Sequence, residues 1–399
     1  MIKKWLLLIG SAVTLFVPSI VSATNNYPTT APYPDVVYLR KNCEASPNCG
    51  TTLAEVQSWI ESYKQPTAQA PILVEIGPGK FAQGFGCRNI GNISLKGAGR
   101  DQTVLGSPSN GAITAQNCSN FHVQDLTIIG GFPAPVYWMG TGDSTWVNVH
   151  IKGGIYGWTE SRYTASGPSC DTLPGQRPVH RWFNSTISAA GKVAYAVHCS
   201  ENWFFGSEII ASGPGFTNGI RGIMAFAYND GDMPEVHVYG SVIRVIPDSG
   251  GIFPAPSAAG DTTGIIAVAA GKNASVHIHG TGIDVLGNDQ SNEVAALAVI
   301  DGGMIHASQS AYVLKTSGEG TKKYRIKNEG GMVKAPYAWE PDVLTSMQHV
   351  ASEPGADTTV EERCIDPQCT LPKQPHLLIY SVNCSTNGPW FDTTTGQCR

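Results

Sequence analysis

Val236-His-Val-Tyr-Gly-Ser-Val-Ile243 reads as an alternating strand, a Gly-Ser corner and a second short strand. The same plan returns as Phe121-His-Val-Gln-Asp-Leu-Thr-Ile-Ile-Gly130, Trp146-Val-Asn-Val-His-Ile-Lys-Gly153, Trp182-Phe-Asn-Ser-Thr-Ile-Ser188 and Trp203-Phe-Phe-Gly-Ser-Glu-Ile-Ile210. It returns again as Val276-His-Ile-His-Gly-Thr-Gly-Ile283 and Ile305-His-Ala-Ser-Gln-Ser-Ala-Tyr312. With Asp125, Asn148, Asn184, Ser207, Ser241, Thr281 and Ser310 as corners, the steps are 23, 36, 23, 34, 40 and 29 residues. Irregular recurrence of one supersecondary unit is the signature of a solenoid. A third, uniformly apolar segment lies between the pairs: Ala194-Tyr-Ala-Val197, Gly222-Ile-Met-Ala-Phe226, Gly264-Ile-Ile-Ala-Val268, Ala295-Ala-Leu-Ala-Val299. Three strands per turn make a parallel β-helix, in which inward residues stack on the turn below and outward ones meet solvent.

An open solenoid exposes an apolar cross-section and needs a cap. Thr52-Leu-Ala-Glu-Val-Gln-Ser-Trp-Ile-Glu61 supplies one, with a Thr N-cap, Glu55 three residues on and a Leu53/Val56/Ile60 stripe. Met1 to Ala23 has the form of a secretory signal: Lys3 and Lys4, an apolar stretch from Trp5 to Val17, and a small-residue site at Val21-Ser22-Ala23. The expected organisation is a signal over 1–23, a β-helix with its N-terminal cap over 24–350, and a Cys-containing tail over 351–399. This points to a secreted, periplasmic or cell-surface protein without a membrane span once the signal is removed.

The chain of 399 residues has 45 Gly, 26 Pro and 42% hydrophobic residues, too apolar for a disordered polymer. Its 26 basic and 31 acidic residues give a net charge of −5, and no basic stripe is available to track nucleic acid. The ten cysteines suit disulfides in an oxidising compartment. Candidates are Cys43 with Cys49, Cys364 with Cys369 and Cys384 with Cys398 as short staples. Cys87 with Cys118 and Cys170 with Cys199 are candidates between neighbouring repeats. Zinc is the competing reading, but no CxxC or paired-His spacing accompanies these cysteines.

Pro71-Ile-Leu-Val-Glu-Ile-Gly-Pro-Gly-Lys-Phe81 and Asn92-Ile-Ser-Leu-Lys-Gly-Ala-Gly-Arg-Asp-Gln-Thr-Val-Leu105 resemble the opening of a pectin methylesterase. More broadly they resemble the pectin-lyase-like group, which implies a right-handed parallel β-helix acting on an acidic polysaccharide. The resemblance extends more weakly to about Gly213. Pectin methylesterases use two aspartates, an arginine and glutamines that hold an oxyanion. Here Gly79-Lys-Phe-Ala-Gln83 stands for one family motif. Ala134-Pro-Val-Tyr-Trp138, Ile155-Tyr-Gly-Trp158 and Ala194-Tyr-Ala-Val-His198 stand where the amide and both aspartates belong. Cys170-Asp-Thr-Leu173 repeats an aspartate motif in letters, about 15 residues late. Without two neighbouring carboxylates the esterase mechanism does not run. Tyr324-Arg-Ile-Lys327 resembles a polygalacturonase motif without the carboxylate motifs that should precede it, so Arg325 reads as structural.

The long insertion from Gly154 to Pro178 is the candidate groove, because aromatic faces cover the C–H side of a pyranose while charged groups take its hydroxyls or carboxylate. Catalytic candidates are Glu160 or Asp171 as acid/base and Arg162 or Arg177 as a uronate clamp. Binding candidates are Tyr156, Trp158 and Tyr163, with His198 and Glu201 on the next turn. Asp230 and Asp232, with Glu235, form either an Asp-Gly turn or a weak calcium site. His277, His279 and His306 read as outward or stacked residues, with a metal ladder as the alternative. Trp146, Trp182 and Trp203 read as one packed ladder. Two functions follow: a polysaccharide-directed protein, with esterase, lyase or hydrolase chemistry if it is an enzyme, or a non-catalytic surface, adhesion or matrix protein using the rod as a scaffold.

Overall fold

The computed structural model describes residues 35–43, 48–109, 111–140, 142–161, 177–213, 219–227, 231–247, 264–287, 293–316, 322–334, 348–352, 357–359, 391–392 and 397–398. The signal segment and most of the tail expected from the sequence lie outside them. Strands stack in parallel on three faces. The first face includes Ile72–Ile76, Gly91–Lys96, the opening halves of Ser119–Gly130 and Ser144–Gly153, Val179–Phe183, Glu201–Phe205, Glu235–Tyr239, Ser275–His279 and Met304–Ser308. The second includes the closing halves of those two long strands, Thr186–Ala189, Glu208–Gly213, Val242–Pro247, Gly282–Gly287 and Ala311–Thr316. The third includes Val136–Met139, Tyr156–Ser161, Val193–Val197, Ile220–Ala225, Gly264–Ala270, Glu293–Ile300 and Lys322–Glu329. Parallel strands joined through two other faces form the β-helix, and a right-handed crossover is the hand such connections take. Pairing continues past residue 350: Gln348–Ser352 joins the third face and Asp357–Thr359 the first.

The helix Leu53–Trp59 starts where the sequence places it, with the reciprocal Thr52–Glu55 capping box formed. It buries Leu53 and Val56, and Ile60 beyond it is also buried. The first-to-second-face corner is equally literal at first. Asp125, Asn148 and Asn184 hold φ of 56°, 52° and 47°, and Asn148 donates to Asp125 Oδ1 at 2.8 Å. Later turns place Gly206, Gly240, Gly280 and Gln309 in the left-handed position. Their following hydroxyls form a buried ladder: the Ser185 N–H donates to Ser207 Oγ and the Ser207 N–H to Ser241 Oγ. Each hydroxyl in turn donates to the carbonyl two residues back, as Ser207 does to Phe205 and Ser241 to Tyr239. A Ser or Thr after the corner thus satisfies an N–H that a tight turn leaves unpaired.

Two aromatic ladders fill the middle of the solenoid. Trp146 stacks on Trp182 at 4.9 Å and Trp182 on Phe204 at 5.9 Å. On the third face Trp138, Trp158 and Tyr195 stack at 5.6 Å per step. The ladders meet edge to face, with Trp158 against Trp182 at 89° and Tyr195 against Phe204 at 86°. Trp203 is not in this stack, contrary to the ladder expected from sequence. Register pairs Trp182 with Phe204, so Trp203, one residue away, points outward.

Candidate functional site

The structure disperses the residues that the sequence grouped around the long insertion. Arg162, Tyr163, Cys170, Asp171 and Asp230 lie outside the described residues, as do the side chains of Cys364, Cys369, Cys384 and Cys398. Disulfides Cys43–Cys49 and Cys87–Cys118 are formed. Cys199 is also disulfide-bonded. Asp232 is buried and has a partner. Tyr156 is half-buried on the outer surface of the third face, in register with Val193 and, one turn on, Arg221. Burial pushes the Tyr156 hydroxyl up, and Arg221 opposes that shift.

Trp158 points inward because its neighbour in register is the core residue Tyr195, and Glu160, two residues on, points the same way. Trp158 is 0% exposed, which removes it as a sugar platform. Glu160 is 6% exposed, and its carboxyl is anchored through both oxygens. Its Oε2 accepts the successive N–H groups of His198, Cys199 and Ser200 at 3.1, 3.0 and 3.2 Å. Its Oε1 accepts the Ser200 hydroxyl and faces His180 Nε2 at 3.6 Å. Consecutive amides around one oxygen form an anion nest, so the carboxylate closes the corner after Val193–Val197 instead of facing an open groove. His198 is a wall residue: it is 2% exposed, with Nδ1 at 3.1 Å from the Phe226 carbonyl.

This carboxylate belongs to a buried polar chain. Trp146 Nε1 donates to Ser144 Oγ, which pairs with His180 Nδ1, both at 2.7 Å. On the other side Trp182 donates to Tyr195, Tyr195 to Asn202 and Asn202 to Ser200. Ser144, His180 and Asn202 form one inward column, a polar interruption between Phe121 and Val236. The sequence Ser-His-Glu has the connectivity of a hydrolytic triad. All three side chains are sealed from solvent, at 1%, 0% and 6% exposure, so the arrangement is structural.

The pair has an acid signature. Burial pushes His180 down to about 3, and it pushes Glu160 up against the nest donors. A depressed histidine contributes stability fully above about pH 6.5 and loses it toward pH 3, at about 1.4 kcal/mol per pH unit. A raised carboxyl works in the opposite sense: its contribution is present below its unfolded value and lost as pH rises through the folded one. We expect Glu160→Gln to steepen the acid loss of stability between about pH 6.5 and 4.5. Urea midpoints across that range, parallel for both proteins, would contradict it.

An open cluster forms instead on the outer surface of the first face, where three columns run in register. One holds Val179, Glu201, Glu235 and Ser275. The next holds Arg181, Trp203, His237, His277 and His306, and the third holds Phe183, Phe205, Tyr239 and His279. Arg177 and Glu201, both expected from sequence, meet here. Arg177 Nη2 donates to Glu201 Oε2 and Glu235 Oε2, each at 2.7 Å. The guanidinium holds the Glu235 carboxyl below its ordinary value against the effect of burial.

Phe183, Phe205 and Tyr239 follow one another at 5.2 and 5.5 Å with planes within 11°. Centroid spacings well above a contact of about 3.5 Å mean displaced rings, overlapping like shingles and leaving part of each face open. Trp203 lies flat against His237 at 3.8 Å, and its Nε1 donates to Glu201 Oε1 at 2.6 Å. Arg181, exposed, occupies the next step of that column. Arg181, Phe183, Phe205, His237 and Tyr239 were missed by sequence reasoning. The available signal was the repeated aromatic or His at alternate strand positions once the outward register is known.

No family model matches this chain, and no curated protein matches it. Its structure is similar to solved parallel β-helix enzymes. A pectin methylesterase from carrot is 13% identical over 72% of this chain and 84% of that one, with TM-score 0.42. A pectin methylesterase in complex with hexasaccharide VII is 12% identical over 78% and 92%, with TM-score 0.42. A pectate lyase variant from Xanthomonas campestris is 13% identical over 82% and 81%, with TM-score 0.33.

Proposed function

We propose that this is a carbohydrate-directed β-helix protein that binds an acidic, uronate-type polysaccharide at or outside the cell envelope. The observation that carries the reading is the shingled surface of Trp203, Phe205, Phe183 and Tyr239, with exposed Arg181 at its edge. Partly open ring faces accept the apolar side of a pyranose, and a guanidinium takes a carboxylate in bidentate fashion. Arg181 has no hydrogen-bond or ion-pair partner among the described residues, whereas Arg177 is already held by two carboxylates. The clamp is therefore assigned to Arg181 in place of Arg177.

Binding should be measured by calorimetry against polygalacturonate, alginate and a neutral glucan. Trp203→Ala should weaken uronate binding about tenfold, equivalent to about 1.4 kcal/mol. Arg181→Gln should weaken it comparably, reduce its salt dependence and leave neutral glucan unaffected. Uronate affinity unchanged in both variants would remove the reading. A second reading, a rigid scaffold without chemistry, is favoured by the outer third face. There Val193, Ala196, Ile266, Ala269, Ala295 and Ala298 are buried and apolar, and Val193 separates the polar groups Tyr156 and Arg221 in their shared column. Methanol release, new reducing ends or unsaturated products from the same polysaccharides would argue against it.

A further inference from the structure

We propose that Glu235, His237 and His277 form a binding site for a divalent transition ion such as Zn²⁺, with an open coordination position facing the aromatic surface. The site lies on the face assigned above to polysaccharide, but its argument is independent of that assignment. Glu235 and His237 share one strand, and His277 follows His237 directly in register on the next turn. Glu235 Oε1 is 2.9 Å from His237 Nε2 and 3.7 Å from His277 Nε2, and the three ligand atoms lie within 4.8 Å of one another. Tetrahedral zinc with bonds of about 2.0–2.1 Å separates its ligand atoms by about 3.3 Å. Shifts of a few tenths of an ångström therefore bring the carboxylate oxygen into position against either nitrogen. Two imidazoles and one carboxylate suit zinc, cobalt, nickel or copper, whereas calcium requires six or more oxygens.

The surroundings supply what a metal site needs beyond its ligands. Arg177 holds Glu235 Oε2, orienting the carboxylate so that Oε1 faces the histidines. Trp203, stacked at 3.8 Å, fixes the His237 ring. His237 and His277 stand 4.8 Å apart with planes at 9°. A single ion lies near the plane of each ligating ring, so one imidazole must turn to admit it. His277 is the one able to move: its side chain is 30% exposed, against 11% for His237, and turning releases only the 2.8 Å contact with Ser275 Oγ and its ring contacts. With both rings neutral, Glu201, Glu235, Arg177 and Arg181 cancel in charge. A divalent ion makes the face positive and leaves its fourth position for a carboxylate or water.

The test uses chelator-stripped, full-length protein titrated with CoCl2 and then ZnCl2, with no polysaccharide present. One equivalent of Co²⁺ should give tetrahedral d–d absorption that Zn²⁺ displaces. Glu235→Gln, His237→Gln and His277→Gln should each weaken binding by at least about tenfold, whereas His279→Gln should not. Histidine 15N spectra of the unaltered protein provide a reading that does not depend on variants folding: two Nε2 resonances should move on adding Zn²⁺. Absent cobalt absorption, unshifted nitrogens, or tight binding retained after both His237→Gln and His277→Gln would overturn the site. Because the titration contains metal alone, its failure leaves uronate binding standing, and failure of uronate binding leaves the metal site standing.

Discussion

Replacing Glu160 by alanine should lower stability by about 3–5 kcal/mol, because several buried donors lose their shared acceptor. The substitution strands three successive amides, the Ser200 hydroxyl and the side of His180 that faced the carboxylate. Each buried donor left unmet costs about 1–3 kcal/mol, moderated by any water that enters. Glu160→Gln retains an oxygen for the nest and should cost about half as much or less. A solenoid need not unfold in one step. The appropriate readings are therefore a denaturant midpoint and hydrogen exchange at residues 198–200, whose amides should lose protection first. An unchanged midpoint for Glu160→Ala would mean that the carboxylate is not an anchor, and would restore it as a candidate for chemistry.

Trp158→Ala should destabilise by a similar amount, about 3–5 kcal/mol, through lost burial and a cavity that the rigid stack cannot close. Trp158 contacts Trp138, Trp146, Trp182, Tyr195 and His180, so its loss removes packing between both interior ladders at once. Its indole Nε1 is buried without a hydrogen-bond partner among the described residues. Trp158→Phe removes that unmet donor together with some volume, and the two effects partly offset, so this variant should be much milder. Near-UV circular dichroism should fall in Trp158→Ala while uronate affinity per folded molecule stays constant. The reverse pattern, normal stability with binding abolished, would make Trp158 a sugar platform after all.

The comparison of Trp182 with Trp203 shows where sequence reading reaches its limit. Both open a strand as Trp-Phe, and the letters suggest one ladder. Yet pairing sets Trp182 against Phe204, and the period-two alternation then sends Trp203 to solvent. Glu160 shows the same limit from the other side. A carboxylate beside Tyr156 and Trp158 looks like the wall of a groove until the register of Trp158 with Tyr195 carries it inward, where the amides of residues 198–200 await it.

The architecture was legible from the residues alone, because a parallel β-helix is written in local terms. Alternation marks its strands, Asn, Gly and Ser mark its corners, and a capping box marks the helix that seals its end. Cys87 and Cys118, on neighbouring turns, were legible as a staple for the same reason. Tertiary structure alone decided the candidate site. Arg177, Glu201 and Glu235 come from three separate stretches of chain, and Arg181, Trp203, His237 and His277 line up only because consecutive turns stack in one register. Step lengths that vary from 21 to 45 residues between stacked positions hide that register from any fixed period in the sequence. Hydrogen bonding between turns restores it, placing side chains far apart in the chain a few ångströms from one another.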